Sequence, residues 1–229
     1  MQTPARVVLI AGASRDIGAE VARQLAAPGT QVIVNYREKT GRAQAIVDAI
    51  RGAGGNVSTL TGDISDEAQA VAMMEHVASR YGKLDALILN ASGGLETVAD
   101  PGDAMRFNRD AQRRLATLAM PLMPAGARIV FVTSHQAHFY PHKAVPMGYS
   151  RVAASKRAGE TALYAMRSVL NHAGIHLTVV SGDMIDGTIS PSALPTVEEF
   201  AAAIVTAAVS PSSSTITYVG GADYLMTVA

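Results

Sequence analysis

Cysteine is absent from the 229 residues of this sequence. Its absence excludes a disulfide framework, a thiolate metal site and catalysis by a cysteine nucleophile. An excess of charge of either sign is absent too, because 19 lysines and arginines balance 19 aspartates and glutamates. We therefore expect no nucleic-acid partner and no acidic surface as a partner.

Long apolar runs are also lacking, and none approaches the roughly 18 residues of a transmembrane helix. The stretch Met1–Arg6 lacks the charged start and long apolar core of a signal peptide. We therefore expect no membrane partner and a cytoplasmic protein. The length fits one large α/β domain that buries a full core without disulfides or metals. We predict a single domain over residues 1–229.

Short β-branched runs alternate with longer amphipathic stretches along the whole chain. The predicted strands are Arg6–Ala11, Gln31–Asn35, Val57–Thr61, Ala86–Asn90, Arg128–Thr133, His176–Ser181 and Thr215–Val219. The predicted helices are Ile17–Ala27, Arg42–Ala53, Glu67–Tyr81, Ala104–Met120, Val152–Ala173 and Val197–Ala208. Nearly continuous apolar strands are typical of parallel sheets that are buried on both faces. The pattern predicts an α/β fold, a doubly wound parallel sheet of about seven strands with helices on both faces.

A glycine-containing turn, Ala-Gly-Ala-Ser-Arg-Asp-Ile-Gly over residues 11–18, joins the first predicted strand to the first predicted helix. Glycine permits a tight turn and lets backbone N–H groups approach a phosphate. The helix N-terminus adds partial positive charge at the same place. The turn therefore indicates a pyrophosphate site, and an ordinary strand-to-helix turn is the alternative.

This turn resembles the phosphate loop of the short-chain dehydrogenase/reductase family, commonly Thr-Gly-x-x-x-Gly-x-Gly. Ala11 stands at the threonine position and Asp16 at the middle glycine. A carboxylate that faced a pyrophosphate would be repelled, so we expect Asp16 to point away and cap the following helix. The family has a Rossmann-type fold and moves a hydride between nicotinamide and a carbonyl or alcohol. The resemblance implies cofactor contacts from Gly12, Ser14, Arg15, Asp16, Ile17 and Gly18.

The end of the second predicted strand indicates which nucleotide is bound. An acidic residue there would bind the ribose of NAD, but the strand ends in Asn35, Tyr36 and Arg37. Guanidinium groups suit a 2′-phosphate because their forked donors match its oxygens. Arg37 and Arg15, together with the missing acid, therefore predict NADP, and we expect Asn35 to contact the cofactor. Solvated surface arginines are the alternative, and Glu38 keeps NAD open.

Later strand ends also match the cofactor contacts of the family. Asp63 and Ile64 follow the third strand, where the family places an aspartate beside the adenine. Asn90, Ala91 and Ser92 follow the fourth strand and resemble Asn-Asn-Ala-Gly, with Ser92 in place of the glycine. The carboxyl ends of parallel strands meet at one edge, where such sheets bind ligands.

The segment after the sixth strand resembles the one that holds the nicotinamide carboxamide in the family. The resemblance places Gly182, Ile185 and Thr188 there, although Ser181 replaces the usual proline. Asp183 has no counterpart in the family pattern.

Carbonyl reduction needs a proton donor beside the carbonyl oxygen. A tyrosine can serve if a nearby cation lowers its pKa from about 10. The family supplies serine, tyrosine and lysine, with an asparagine that supports a water relay. The resemblance places these roles on Ser134 at a strand end, Lys156 within Ala-Ala-Ser-Lys-Arg-Ala-Gly-Glu, and Asn108. It also implies that Lys156 contacts the cofactor. A polar residue on an exposed helix face is the alternative for Asn108.

The usual tyrosine is missing, because Val152 stands four residues before Lys156. Tyr149 stands seven residues before it, which in a continuous helix would separate the Cα atoms by about 10.5 Å instead of about 6 Å. Tyr149 can therefore replace the usual acid only if the chain before Val152 leaves regular helix. Pro146 and Gly148 favour such an irregular entry.

Other proton donors lie in the same region, namely Tyr140, His135, His138 and His142. The histidine spacing fits no helical ligand pair, and no acidic partner is close in sequence. We therefore predict no metal site and assign the histidines to the loop and its rim.

Two classes of function remain open. The first is an NADP-dependent oxidoreductase acting on a small carbonyl or alcohol compound, and the second is a non-catalytic NADP-binding module that senses redox state or docks a partner. An epimerase or dehydratase is less favoured because no separate substrate domain is evident. Met147, Met184 and Leu194 hint at an apolar substrate. The resemblance implies a homodimer or homotetramer.

Overall fold

The computed structural model describes residues 4–92, 101–182, 195–210 and 214–221. The predicted contact residues Ile185 and Thr188, as well as Met184 and Leu194, lie outside this part of the chain. Within it, seven parallel strands form one sheet in the order β3-β2-β1-β4-β5-β6-β7. The strands are β1 Arg6–Ala11, β2 Thr30–Tyr36, β3 Asn56–Thr61, β4 Ala86–Leu89, β5 Arg128–Ser134, β6 His176–Gly182 and β7 Ile216–Val219.

Helices cover both faces of the sheet, as the sequence predicts. They are α1 Asp16–Leu25, α2 Thr40–Gly52, α3 Glu67–Tyr81, α4 Pro101–Met105, α5 Ala111–Ala119, α6 His135–His138, α7 Ser150–Tyr164, α8 Arg167–His172 and α9 Val197–Val209. None of the helices in the described ranges is long and apolar enough to cross a membrane.

Successive side chains of the central strands point to opposite faces of the sheet, so the core is divided into two layers. On β1, Leu9 packs with residues of α3, α5 and α7, among them Val77, Leu115 and Leu163. Its neighbour Val8 packs on the opposite face, among residues of α1, α2 and α9. Each fully buried large apolar side chain contributes about 1.5–3 kcal/mol, so both layers stabilise the fold.

The strand order reverses between β1 and β4, which lie side by side at the centre of the sheet. Chain connections leave this point in opposite directions, so a crevice opens above the carboxyl ends of the two strands. The turns after β1 and β4, which carry Gly12 and Asn90, both lie at this crevice.

Two predicted helices are interrupted, so their predicted bounds are wrong. Instead of one helix over Ala104–Met120, a π-helical turn at Arg106–Asp110 separates α4 from α5. A Cβ at Gly159 of α7 would collide with the carbonyl oxygen of Asn108 in this turn. Glycine therefore lets the two backbones approach closely, and the approach depends on tertiary packing rather than on local sequence.

The predicted helix Val152–Ala173 also divides, into α7 and α8. It begins earlier than expected, at Ser150 rather than at Val152. The residues before it form a turn in which the backbone N–H of Tyr149 donates to the carbonyl of Pro146 at 3.0 Å. Gly148 adopts a φ of 82° in this turn, a conformation that favours glycine.

Candidate active site

The turn after β1 is packed too tightly for a side chain at either of its glycines. Gly12 has a φ of 71°, and a Cβ there would lie 2.6 Å from Cα of Ala91. A Cβ at Gly18 would lie 2.6 Å from the Gly12 carbonyl oxygen and 2.7 Å from Nδ2 of Asn90. The two glycines therefore let the turn pack directly against the residues that follow β4.

Two asparagines hold Gly12 from opposite sides. Asn35 accepts a hydrogen bond from the Gly12 N–H at 3.3 Å, and Asn90 donates to the Gly12 carbonyl at 2.9 Å. Asn35 also donates to the carbonyls of Leu60 and Gly62, at 3.1 and 3.0 Å. The buried Asn35 amide is thus engaged in joining the ends of β1, β2 and β3.

The backbone of Asp16 has a φ of 49°, in the left-handed region that favours glycine. This agrees with its place at the middle glycine of the family loop. Our expectation that it caps α1 is wrong, since Arg15 is the N-cap residue and no side chain caps this helix. Asp16 already belongs to the first helical turn, whereas a capping residue stands before it in extended backbone. Its carboxylate lies 3.5 Å from Nε of Arg15 and is 74% exposed, so it faces solvent.

The Arg37 side chain joins three groups at the end of β2. Its Nε lies 2.9 Å from Oε1 of Glu38, and its Nη1 lies 3.6 Å from Oδ2 of Asp63. Its guanidinium carbon lies 5.6 Å from the ring centroid of Phe107 in the π-helical turn. Sequence reasoning missed Phe107, because nothing local indicates that residue 107 reaches the end of β2.

The remaining predicted contact residues follow the ends of their strands. Asp63 accepts hydrogen bonds from the backbone and the hydroxyl of Ser65, at 2.8 and 2.7 Å. The Ala91 carbonyl accepts one from Gln112 at 2.6 Å. Gly182 ends β6 against the ring of Phe200, which leaves no room for a Cβ. Ile64 is buried, and Ile17 packs against the core. Ser14 lines a cavity together with Arg15. Ser92 is exposed.

Ser134 and Tyr149 meet at the carboxyl end of β5. The Ser134 Oγ lies 3.4 Å from the Tyr149 hydroxyl oxygen, across 15 residues of chain. The irregular entry lies before Tyr149 and not between Tyr149 and Val152, so our expectation for the start of this helix is wrong. Tyr149 is the N-cap residue of α7 with helical backbone angles (φ −86°, ψ −13°), and its carbonyl accepts a hydrogen bond from the Ala153 N–H at 2.9 Å. Val152, at the position of the family tyrosine, is buried and carries no hydroxyl.

The side chain of Asn108 supports the helix that carries Lys156. Its amide donates to Ser155 Oγ at 2.9 Å, and the Ser155 hydroxyl donates to the Val152 carbonyl at 2.9 Å. Asn108 is 2% exposed, so the alternative of an exposed helix face is wrong. Lys156 is partly buried on α7, two helical turns beyond Tyr149.

The histidines do not all lie on the rim, so that expectation was wrong in part. His135 is buried, with Nδ1 2.9 Å from Ser181 Oγ and Nε2 3.1 Å from the Gly220 carbonyl oxygen. His138 pairs with Glu160 at 2.9 Å, whereas His142 is exposed. Among the residues that the structure describes, no group of three His, Asp or Glu side chains could hold a metal ion.

The arrangement of loop, strand ends and helices matches a known family. The family model described as short chain dehydrogenase matches residues 6–196. The chain belongs to the short-chain dehydrogenase family. Its fold is also similar to that of a short chain dehydrogenase from Burkholderia cenocepacia solved in complex with NADP. That protein is 26% identical, with a TM-score of 0.80 over 96% of this chain and 97% of the other.

Among curated proteins, similar sequences carry the names of reductases. The 1-cyclohexenylcarbonyl-CoA reductase of Streptomyces collinus is 31% identical over 79% of this chain and 65% of its own length. A probable tetrahydroxynaphthalene reductase of Zymoseptoria tritici is 32% identical over 70% and 61%. Elsinochrome reductase 1 of Elsinoe fawcettii is 33% identical over 56% and 51%. The chain thus matches between about half and two thirds of the length of these relatives.

Proposed function

We propose that this short-chain dehydrogenase is an NADP-dependent oxidoreductase that moves a hydride between nicotinamide and a carbonyl or alcohol compound. The observation that carries the proposal is the 3.4 Å approach of the Tyr149 hydroxyl to Ser134 Oγ at the end of β5. Two hydroxyls that lie this close together can both interact with one carbonyl oxygen of a substrate. During reduction that oxygen needs a hydrogen-bond donor and a proton donor. The names of the similar reductases support the same reaction class.

The residues around the crevice fit NADP. Gly12 and Gly18 let the turn after β1 pack closely against Ala91 and Asn90, which keeps the loop compact at the N-terminus of α1, where a pyrophosphate would bind. The Arg37 side chain is 49% exposed and Arg15 is 58% exposed. Both make exposed ion pairs, which are weak and can be exchanged for a phosphate contact. These arginines would bind the 2′-phosphate, while Asp63 would face the adenine.

Asn35 and Asn90 have a supporting part in this proposal. Their amides hold Gly12 through its N–H and its carbonyl. They would fix the shape of the loop rather than bind the nucleotide themselves. Six further cofactor contacts stay predictions, namely those of Ser14, Ile17, Ile64, Ala91, Ser92 and Gly182.

NADPH, when bound, supplies the hydride that reduces the carbonyl carbon. Ser134 would hydrogen-bond to the carbonyl oxygen and orient it. Tyr149 would donate a proton to that oxygen, which prevents the build-up of a costly alkoxide. Lys156 stands two helical turns beyond Tyr149, so its positive charge would act on the remaining phenolate only at long range, and its side chain would contact the cofactor. Asn108 would hold the start of α7 in place through its 2.9 Å bond to Ser155.

The non-catalytic alternative is not favoured. Its main support is Val152, which removes the usual proton donor from position 152. The approach of Tyr149 to Ser134 offers a substitute hydroxyl one helical turn away. Retention of Ser134 at the end of β5 would have no purpose in a module that only binds the nucleotide.

We propose a carbonyl compound with an apolar ring as the substrate class. The side chain of Met147 is fully exposed in the turn that ends at Tyr149. A methionine side chain is flexible and apolar, so it can contact a ring of this kind. The names of the tetrahydroxynaphthalene and 1-cyclohexenylcarbonyl-CoA reductases point in the same direction.

The test is NADPH oxidation by the wild type and by Ser134→Ala with a panel of cyclic and acyclic ketones. We expect turnover of ring ketones, and a loss of at least about 10²-fold in kcat for the variant. If no ketone is reduced and no alcohol is oxidised although NADPH binds, the non-catalytic function is correct.

We also propose that two copies of the chain associate through α7. A groove of about 540 Å³ on this helix is lined by small residues, including Ala154, Ala158 and Ala162, between Arg109 and Arg157. Sedimentation should give a dimer or tetramer for the wild type and a monomer for Ala158→Arg.

Two other expectations stay predictions, namely that residues 1–229 form one domain and that the protein is cytoplasmic.

A further inference from the structure

A second polar cluster joins α6, α7 and β7. The Nδ1 atom of His138 lies 2.9 and 3.0 Å from the two carboxylate oxygens of Glu160. The Nε2 atom of the same ring lies 3.1 Å from the Tyr218 hydroxyl oxygen. We call these three residues the His138 bridge.

The direction of the hydrogen bonds follows from the carboxylate, which can only accept. His138 therefore donates from Nδ1 to Glu160, and in the neutral ring Nε2 is then an acceptor for the Tyr218 hydroxyl. The imidazole is thus engaged at both nitrogens, which fixes its orientation.

Glu160 is the buried end of the bridge. Its side chain is 0% exposed, and Arg157 donates to it at 2.8 Å. Burial, and after it the charge of Glu160, raises the pKa of Tyr164 well above its ordinary value. A buried carboxylate is costly unless hydrogen bonds and opposite charge compensate it, so the surrounding geometry is strongly restricted.

The bridge connects the two segments that carry the proposed catalytic groups. Ser134 is the N-cap residue of α6, and its Oγ accepts from the Ala137 N–H at 3.3 Å. His138 is the last residue of that same helical turn. Glu160 stands one turn beyond Lys156 on α7, the helix that Tyr149 begins. The bond from His138 to Glu160 therefore spans the two sides of the site.

We propose that His138 and Glu160 are positioning residues, which set the distance between Ser134 and Tyr149 by tying α6 to α7. This inference rests on the proposed oxidoreductase function. Neither side chain would touch the substrate or NADP. The outer bond to Tyr218 orients the imidazole but does not set this distance.

The experiment compares His138→Asn, whose amide keeps a donor near the position of Nδ1, with His138→Leu, which removes it. Steady-state kinetics with a ring ketone give kcat and KM, and fluorescence titration gives the Kd for NADPH. We expect His138→Leu to lower kcat about 10- to 100-fold, because small displacements of catalytic groups have effects of this size. The Kd for NADPH should change less than about twofold, since the phosphate loop is not in contact with the bridge.

His138→Asn should retain kcat within about threefold of the wild type, because it preserves the bond to Glu160. Tyr218→Phe is the matched control, since it deletes only the outer hydroxyl and keeps the ring that stacks on Phe139 at 5.8 Å. It should also retain kcat. If His138→Leu does not fold, His138→Ala, which also lacks a side-chain donor, takes its place, with the same expected loss.

Full activity of His138→Leu would overturn the proposal. Equal losses in His138→Leu and His138→Asn would also overturn it, as would a parallel loss of NADPH affinity. Amide hydrogen exchange over residues 134–139 gives a readout without turnover. Faster exchange in His138→Leu than in His138→Asn supports the bridge even if no substrate is turned over, in which case only the proposed function fails. Equal exchange rates would contradict the bridge.

Discussion

The Tyr149 hydroxyl oxygen lies 3.4 Å from Oγ of Ser134, although the tyrosine stands three residues earlier than the family pattern places it. The turn formed by residues 146–149 makes this approach possible. It ends at Tyr149, the N-cap residue of α7, and the helix then continues regularly through Val152. A buried valine at position 152 is therefore compatible with a hydroxyl pair at the end of β5.

The first prediction concerns nucleotide preference. Arg37→Ala should weaken NADPH binding by on the order of 1.5–3 kcal/mol, or roughly 10- to 150-fold, because a charge-assisted contact to the 2′-phosphate is lost. NADH affinity should change little, since that nucleotide has no 2′-phosphate. Fluorescence titration measures both. Arg80→Ala, near the end of α3 at the opposite edge of the sheet, is the matched control. Equal wild-type affinities for NADPH and NADH would contradict the assignment.

The second prediction concerns the phosphate loop. Gly18→Ala should lower NADPH affinity and the melting temperature, because its Cβ would meet the Gly12 carbonyl oxygen at 2.6 Å. Gly41→Ala is the control, since nothing lies within 4 Å of a Cβ at that position of α2. That change should be neutral or stabilising by up to about 1 kcal/mol. Unchanged NADPH binding in Gly18→Ala would show that the loop does not hold the pyrophosphate.

The third prediction concerns the pH dependence of stability. The Gln69 backbone N–H, which donates to the carboxylate, holds the pKa of Asp66 below its ordinary value. Because the folded-state pKa is the lower one, this contribution is present above the unfolded-state pKa of about 3.9. It is lost as the pH falls through the folded-state value.

Asp66→Ala should therefore lower the melting temperature at neutral pH, and the difference from the wild type should shrink in acid. Asp66→Asn keeps an acceptor at the N-cap of α3 without a titrating charge. Its difference from Asp66→Ala should persist at low pH. A difference between the wild type and Asp66→Ala that is the same at every pH would contradict the account.

The sequence predicted the features that depend on local patterns. Buried parallel strands, such as the one that includes residues 7–10, are continuous apolar runs, so their existence can be deduced from the local sequence pattern. Gly12 and the irregular entry at Gly148 were also predictable, because glycine marks positions of positive φ. The hydroxyl pair followed from the resemblance together with this turn.

Features that depend on packing between distant segments were not predictable. The π-helical turn at Asn108 follows from its contact with Gly159, and the bond between His138 and Glu160 joins residues 22 positions apart. Phe107 reaches Arg37 only because the fold brings that turn beside the end of β2. The error at Asp16 has a different origin, because the helix begins one residue earlier than its pattern suggests.

The most direct test of the central claim is the kcat of Tyr149→Phe with a ketone that the wild type reduces. The variant keeps the ring and removes only the hydroxyl beside Ser134, so kcat should fall by at least about 10² while the Kd for NADPH stays nearly unchanged. Tyr140→Phe, which removes another hydroxyl from the loop before α7, should retain full activity. Wild-type kcat in Tyr149→Phe would contradict the account and assign proton donation to another group.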